Sequence, residues 1–470
     1  MQIKLHHWGI IGLCAWMLLG SAAPAAERRP PNIIVMLLDN VGRDWFGCYG
    51  SIEGATPEID RLASQGLRFE HCYATPFCSV TRVELLTGRY PFSSGWTIHH
   101  DAAIYAGGNF DALRLPTFAN VVRTAGYTTA IVGKWQISNL FESSQADALS
   151  RAGFDEQCVW PEGMPGHEAN YKRYWDAYIV QQGKRLNTKG RFGPDVFHEF
   201  AVDFIRRHRE QPFLLYYPSV LTHGPHVPVP PKQPDAAVSA ARPSKQQQRD
   251  LFAGMIRYAD QDVGRLARAL KELGVLDNTI LIITSDNGNT DALAGRTQPP
   301  GPAGGGYTLA EGGIDMPLIV YAPGLISPAG QISRRLVDFT DFFPTLVELS
   351  RAKQPADLKL DGRSFAGALL GRPEPSSEKP WIASQYAAAR VVRDQRYKLY
   401  STGELFDIAS DPGEKHDLSS DSTPAIAAEH AKLKAALAAL PSDASLPFLP
   451  RSQSAYKLRG EKPPATRPAE

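Results

Sequence analysis

Four short stretches combine residue types that do chemistry on an anion. Asp39-Asn40 and Ser285-Asp286-Asn287-Gly288 are oxygen-rich, Gly133-Lys134-Trp135-Gln136 brings a cation and an amide, and Thr222-His223-Gly224-Pro225-His226 brings two imidazoles. Each has an ordinary reading by itself. Asp-Asn-Gly is a turn sequence, a lone Asp after a strand is a cap, and a single Lys or His is a solvated or loop residue. Their shared position is what counts. Each follows a short apolar run that reads as a strand, and in open α/β sheets ligands gather outside the carboxyl ends of the strands. A lysine, histidines and oxygen ligands are therefore expected along one sheet edge. The two Asp/Asn pairs offer hard oxygen donors without thiolate, which suits Ca²⁺ or Mg²⁺ better than zinc. Asp39 and Asp286 carry enough charge for one divalent cation, and tolerance of irregular coordination puts calcium ahead of magnesium.

A nucleophile is expected in Cys78-Ser79-Val80-Thr81-Arg82, followed by Leu85-Leu86-Thr87-Gly88-Arg89. Val83, Leu85 and Leu86 fit a helix that Gly88 ends. Cys78 then sits at the helix N-terminus, where free N–H groups and the dipole favour an anion, and Arg82, one turn on, can reach back to the same spot. The plainer reading is a buried cysteine on an amphipathic helix.

The elements that must position these groups follow from patterning. Residues 33–38, 128–132, 213–217, 280–284 and 318–321 are unalternated runs rich in Ile, Val and Leu, as in buried parallel strands. Residues 118–124, 197–207 and 251–273 have apolar residues at helical spacing. Strand alternating with helix predicts an α/β fold, a mostly parallel sheet sandwiched by helices. Residues 228–244 read as a surface excursion and 295–306, rich in Gly and Pro, as a mobile loop beside the site. After residue 349 the texture changes. Residues 390–400 and 404–408 suggest short antiparallel strands, and 424–440 a helix, together a small C-terminal α+β subdomain. The expected organisation is a signal peptide at 1–25, a catalytic domain at 31–350, the subdomain at 351–450 and a disordered tail at 451–470.

Over 470 residues, 50 Lys+Arg stand against 49 Asp+Glu, so the chain lacks the basic excess of a nucleic-acid binder. A hydrophobic content of 43% excludes a disordered or fibrous chain. At the start, Lys4, an apolar stretch over 8–19 and Ala23-Pro24-Ala25 read as a cleavable export signal, the stretch being shorter than the roughly 20 residues of a spanning helix. A secreted or periplasmic protein without integral membrane association is expected. Cys48, Cys72, Cys78 and Cys158 remain after cleavage. With one committed to chemistry, one disulfide and a spare thiol are expected, the pair undetermined.

In this order along the chain, the motifs resemble the formylglycine-dependent sulfatases of the alkaline phosphatase superfamily. The match centres on Cys78-Ser79-Val80-Thr81-Arg82 with Leu85-Leu86-Thr87-Gly88-Arg89. It extends through Gly133-Lys134-Trp135, Thr222-His223-Gly224-Pro225, Ser285-Asp286-Asn287-Gly288, Glu311-Gly312-Gly313, Glu404-Leu405-Phe406-Asp407 and Asp411-Pro412-Gly413-Glu414. The resemblance implies an alkaline-phosphatase-like fold and a sulfatase acting on sulfate monoesters of small molecules or saccharides. It implies that a maturation enzyme oxidises Cys78 to formylglycine, and that Asp39, Asn40, Asp286, Asn287 and residue 78 hold calcium. Arg82 and Lys134 would stabilise the sulfuryl oxygens and His223 would protonate the leaving alcohol, with Gln136, His226 and Arg296 assigned to substrate. Four positions depart from the family pattern. Val80 replaces Pro, Asn40 replaces Asp, Gln136 replaces His, and no Lys precedes Glu311, a gap assigned to Arg296. The departures leave two rival expectations: a phosphonate monoester or phosphodiester hydrolase, and an inactive homologue that binds sulfated glycans.

Overall fold

The computed structural model describes residues 29–102, 108–163, 167–232, 243–326, 329–372 and 379–447. The expected signal peptide, the C-terminal tail and most of the excursion at 228–244 lie outside these residues.

The main sheet has 10 strands. They are β1 (Asn32–Leu38), β2 (Leu67–Tyr73), β3 (Thr128–Lys134), β4 (Glu156–Trp160), β5 (Val180–Gln181), β6 (Lys184–Arg185), β7 (Phe213–Pro218), β8 (Thr279–Ser285), β9 (Leu318–Tyr321) and β10 (Gln331–Asp338). Their order is β10-β2-β9-β8-β1-β7-β3-β4-β5-β6. The central strands β8, β1, β7, β3 and β4 run parallel. On β1, Ile33, Val35 and Leu37 face one core, with helices α2 (Cys78–Thr87), α3 (Phe118–Arg123) and α6 (Phe342–Leu349). Ile34, Met36 and Leu38 face the other, with α1 (Pro57–Ser64), α4 (Gly193–His208) and α5 (Lys245–Glu272). Burial on both faces is why these strands show no alternation.

The structure corrects three expectations. The run at 318–321 is a strand, but antiparallel to both β8 and β2. The chain returns from β8 through residues 286–317, which hold only two short helical turns (Asp291–Leu293 and Glu311–Ile314) and no crossover helix packed along the sheet. The four described cysteines are all free thiols. Cys72 and Cys158 lie in cores on opposite faces of the sheet, so no short bridge joins them. The glycine-rich loop is tied down, because Asp44 Oδ2 accepts the Gly295 N–H at 2.7 Å and the Gly304 N–H at 3.3 Å.

The second sheet has 4 antiparallel strands: β11 (Ile382–Tyr386), β12 (Ala389–Arg393), β13 (Tyr397–Tyr400) and β14 (Leu405–Asp407). Helix α7 (Pro424–Ala438) packs on it through Leu433 and Ala436. Charge fastens this sheet to the main one. The buried Glu311 carboxylate accepts from Tyr73 Oη at 2.6 Å, Arg393 Nη1 at 3.2 Å and Lys398 Nζ at 3.0 Å. Burial alone would raise the Glu311 pKa, but Lys398 and Arg393 outweigh it and hold it at about 2. The stability this group contributes is in place above its unfolded value of about 4.3. It is lost as pH falls through about 2. Glu311→Gln is expected to cost about 3–5 kcal/mol at neutral pH, since Arg393 then loses its carboxylate. Thermal midpoints of both proteins should converge on acidification, and an offset independent of pH would refute the assignment.

Candidate active site

Chain geometry brings the four motifs together. In register, Leu38 lies opposite Ser285, Leu37 opposite Pro218, and Lys134 opposite Trp160. The residues leaving these strands therefore emerge along one edge. Gly133 makes part of this possible. Its φ is +112°, and an added Cβ would come within 2.1 Å of the Pro218 carbonyl oxygen. Helix α2 begins at Cys78 and ends on Gly88, whose φ of 64° is left-handed, and every residue of the helix is buried.

At the centre, Arg82 Nη2 donates to Asp286 Oδ2 at 2.7 Å and to Asp39 Oδ2 at 3.1 Å. Lys134 Nζ donates to the same Asp39 oxygen at 2.8 Å. The Asn40 backbone N–H reaches Asp286 Oδ1 at 3.0 Å, and the Asn287 amide donates to Asn40 Oδ1 at 2.6 Å. Asn40 adopts φ 59°, a conformation Asn tolerates better than most residues. Cys78, Arg82, Lys134, Asp39, Asn40, Asp286 and Asn287 thus form one connected cluster with Gln136, whose Nε2 lies 3.0 Å from Cys78 Sγ.

Burial raises the Asp39 carboxyl, but Lys134, His223 and Arg82 outweigh it and hold it well below the usual range. Asp286 moves the other way. Burial and the neighbouring Asp39 push it up to about 6 against the pull of Arg82 and Lys134. Burial disfavours the ammonium of Lys134, but Asp39 and Cys78 overcome this and keep it protonated. His223 is lowered to about 3 by burial and by Arg173. Its Nδ1 lies 2.8 Å from the Gly224 carbonyl oxygen.

The residues fit a hard divalent cation. Asp39 Oδ1 and Asn287 Oδ1 are buried oxygens with no hydrogen-bond partner, beside the Asp286 carboxyl, which burial and Asp39 push up. Oxygen donors of this kind suit calcium or magnesium. Among the described residues no group of three or more His, Cys, Asp and Glu is arranged as a metal cluster.

His223 meets this cluster through its charge interactions with Asp39 and Lys134, and two other sequence-assigned residues are not joined to it. Arg296 is bound to Glu53 at 2.9 Å on an exposed loop, with 70% of its side chain exposed. The His226 ring packs edge-on against Phe252 at 5.1 Å, among the residues of the core around α5. In the region assigned to Arg296, Tyr307 is the residue at the site. Its hydroxyl accepts from Asn40 Nδ2 at 3.3 Å and its ring meets Phe77 at 5.1 Å.

The structure adds residues the motifs did not show. Asp101 accepts from Gln136 Nε2 and pairs with His99 Nε2 at 3.3 Å. His99 Nδ1 lies 3.1 Å from Ser79 Oγ, next to Cys78. Glu162 and Arg173 are buried at the end of β4. Strand-end reasoning finds Glu162 once β4 is recognised, but no local signal marks Asp101.

The Sulfatase family profile matches residues 31–352. Human N-acetylgalactosamine-6-sulfatase is 32% identical over 375 residues, covering 75% of this chain and 68% of that protein. N-acetylgalactosamine-6-O-sulfatase of Bacteroides thetaiotaomicron is 27% identical over 479 residues, covering 83% and 90%. A solved structure in complex with its substrate, D-glucosamine-2-N,6-O-disulfate, superposes with a TM-score of 0.69 at 21% identity, covering 87% of this chain and 97% of that one.

Proposed function

Because this chain belongs to the sulfatase family of the alkaline phosphatase superfamily, and is a sulfuric ester hydrolase, we propose that it cleaves sulfate monoesters of carbohydrates. We assign the nucleophile to a formylglycine made from Cys78 by a maturation enzyme, and a calcium ion to Asp39, Asn40, Asp286, Asn287 and residue 78. The observation that carries this reading is the single Arg82 nitrogen shared by Asp39 and Asp286 one helical turn from Cys78. The carbohydrate assignment rests on the sugar sulfatases among the relatives. Export rests on the apolar N-terminal segment, and no helix among the described residues is long and apolar enough to cross a membrane.

Formylglycine supplies a hydrated aldehyde, with one hydroxyl to attack sulfur and a second to release it, and calcium supplies Lewis-acid charge for the oxygens involved. The protein's own groups do the rest. Arg82 keeps Nε and Nη1 without protein partners, two donors for sulfuryl oxygens. Lys134 adds a fixed positive charge, and Gln136, held by Asp101, orients the side chain at 78. With Nδ1–H donated to Gly224, His223 leaves Nε2 for the leaving oxygen. Nε2 then carries a proton only when the ring is cationic, a state the negative charge of a bound sulfate ester favours.

The test is mass spectrometry of the peptide containing residue 78, with turnover of an aryl sulfate. An intact thiol in protein from its own host would sink the formylglycine assignment. Tyr307 stands where a lysine is expected and leaves the site one cation short, so rates on an aryl phosphodiester belong in the same assay. The aryl sulfate should be the faster substrate.

Calcium has its own readout. In chelator-treated protein, calcium at one hundred times its Kd should stabilise the fold by about 2.7 kcal/mol and restore activity. Asp286→Asn should abolish the calcium-dependent rise in thermal midpoint. A midpoint that ignores calcium in the parent protein would refute the site.

A further inference from the structure

Arg173 and Glu162 form a second charged pair at the carboxyl edge, next to the machinery already described. Because Trp160 lies opposite Lys134, the chain leaving β4 passes the same edge as the chain leaving β3. Glu162 is the second residue out, with φ 59°. The Arg173 guanidinium lies over the Trp160 ring, 4.0 Å from its centroid, and Nη1 donates to the Gly224 carbonyl oxygen at 2.9 Å. That oxygen also takes His223 Nδ1 at 2.8 Å. The guanidinium and the imidazole assigned to the leaving oxygen therefore hang from one acceptor.

The rest of Arg173 is poorly matched by protein. Nη2 is 3.9 Å from Glu162 Oε1, too far for a hydrogen bond, and the side chains are 8% and 2% exposed. Arg173 Nε and Glu162 Oε2 are buried with no hydrogen-bond partner. Burial and Asp101 push Glu162 up to about 8 against Lys134 and Arg173, so the carboxyl is a weak counter-charge. A purely structural role, fastening Trp160 to the loop after β7, accounts for Nη1 and the stacked ring. It leaves unexplained why the buried Nε, on the fork edge that binds carboxylate or sulfate side-on, has no hydrogen-bond partner.

We propose that Arg173, with Glu162 beside it, binds a second anionic group on the saccharide that leaves as the alcohol, so that the preferred substrates carry a carboxylate or another sulfate close to the scissile ester. The inference rests on the sulfatase reading and on His223 serving the leaving oxygen. It concerns the part of the site assigned to the leaving oxygen. Arg82 and Lys134 are joined to Asp39 on the nucleophile's side, whereas Arg173 shares its carbonyl with His223. A fixed fork there distinguishes charged from neutral sugars, because a neutral sugar leaves the buried guanidinium unpaired.

The experiment compares disaccharides with one scissile sulfate in common. One carries a uronate, one has that carboxyl reduced to an alcohol, and one carries a second sulfate in its place. An aryl sulfate completes the set. The parent enzyme should show kcat/KM about tenfold or more higher on at least one doubly charged disaccharide than on the reduced one. The better of the two identifies the anion. Arg173→Met should lose at least tenfold more on that substrate than on the aryl sulfate, with Arg173→Lys in between because it keeps the charge and loses the fork. Calorimetric affinities of the Cys78→Ala protein for the same disaccharides should rank in the same way without any turnover. Equal parent rates on charged and reduced disaccharides overturn the proposal, as does an Arg173→Met loss of one proportion on all substrates. Absence of turnover with the affinity ranking intact would instead overturn the formylglycine reading and leave Arg173 as the anion-binding residue.

Discussion

With Cys78 replaced by Ala, turnover of an aryl sulfate is expected to fall by about 10⁴-fold or more, leaving only what binding and electrostatics supply. The fold should survive. Cys78 is a small side chain in the first turn of α2, and its polar contact with Gln136 Nε2 is worth no more than about 1.5 kcal/mol. Cys78→Ser is the sharper comparison. It keeps a nucleophilic atom in nearly the same volume, beside the same Arg82 and Lys134, but has only one hydroxyl. A sulfate ester formed on that oxygen cannot be expelled by collapse of a second hydroxyl, so the serine variant should turn over once at most and then stall. If purified Cys78→Ser, with its hydroxyl intact by mass, cycles at the parent rate, an aldehyde is not needed and the assigned nucleophile is wrong. Equal loss in both variants, with unchanged thermal midpoints, places the effect in chemistry rather than folding.

The strands that deliver Asp39, Lys134 and Asp286 were legible because two-sided burial left them runs of Ile, Val and Leu. The same criterion hid β2, β4 and β10. In Leu67-Arg68-Phe69-Glu70-His71-Cys72-Tyr73 the half-buried Arg68, Glu70 and His71 interrupt the buried positions. β10 begins exposed as an edge strand and carries Arg334 and Arg335. β4 opens with Glu156 and Gln157. Overlooking β4 meant overlooking the chain end that brings Glu162 to the site. Strand direction was equally out of reach for β9, because a four-residue apolar run fits either orientation and the connection over residues 286–317 is long enough for both.

Side chains drawn from outside the motifs were the hardest to see. Arg296 was the only cation in the loop where one was wanted, but Glu53 holds it at the surface, and Tyr307 stands at the site. Asp101 and His99 reach Gln136 and Ser79 from a segment with no strand-end signature. The C-terminal sheet looked like an appendage. Through Arg393 and Lys398 it grips Glu311, directly after the loop that presents Tyr307, so it helps hold one wall of the site in place.

Arg82→Met is expected to combine a catalytic and a structural loss, each large. Its Nη2 touches both carboxylates. Without it Asp39 keeps Lys134, but Asp286 keeps only the Asn40 N–H, and two buried like charges lose the cation between them. Removing one partner of a buried pair costs about 3–5 kcal/mol, so the thermal midpoint should drop sharply. Asp286, already raised to about 6, should rise further and take up a proton at neutral pH. On the catalytic side, the donors Nε and Nη1 vanish from where the sulfuryl oxygens are assigned, a loss of about 10²–10³ in kcat by analogy with a deleted oxyanion donor. Arg82→Lys separates the two losses. One ammonium can answer the carboxylates and restore much of the stability, but it cannot also offer a fork to sulfate, so kcat should stay low. Calcium supplies the opposite control, since added cation should recover part of the lost midpoint in Arg82→Met without recovering kcat. Should Arg82→Met keep both its midpoint and its kcat within error of the parent, neither the charge balance drawn here nor the sulfuryl contact survives.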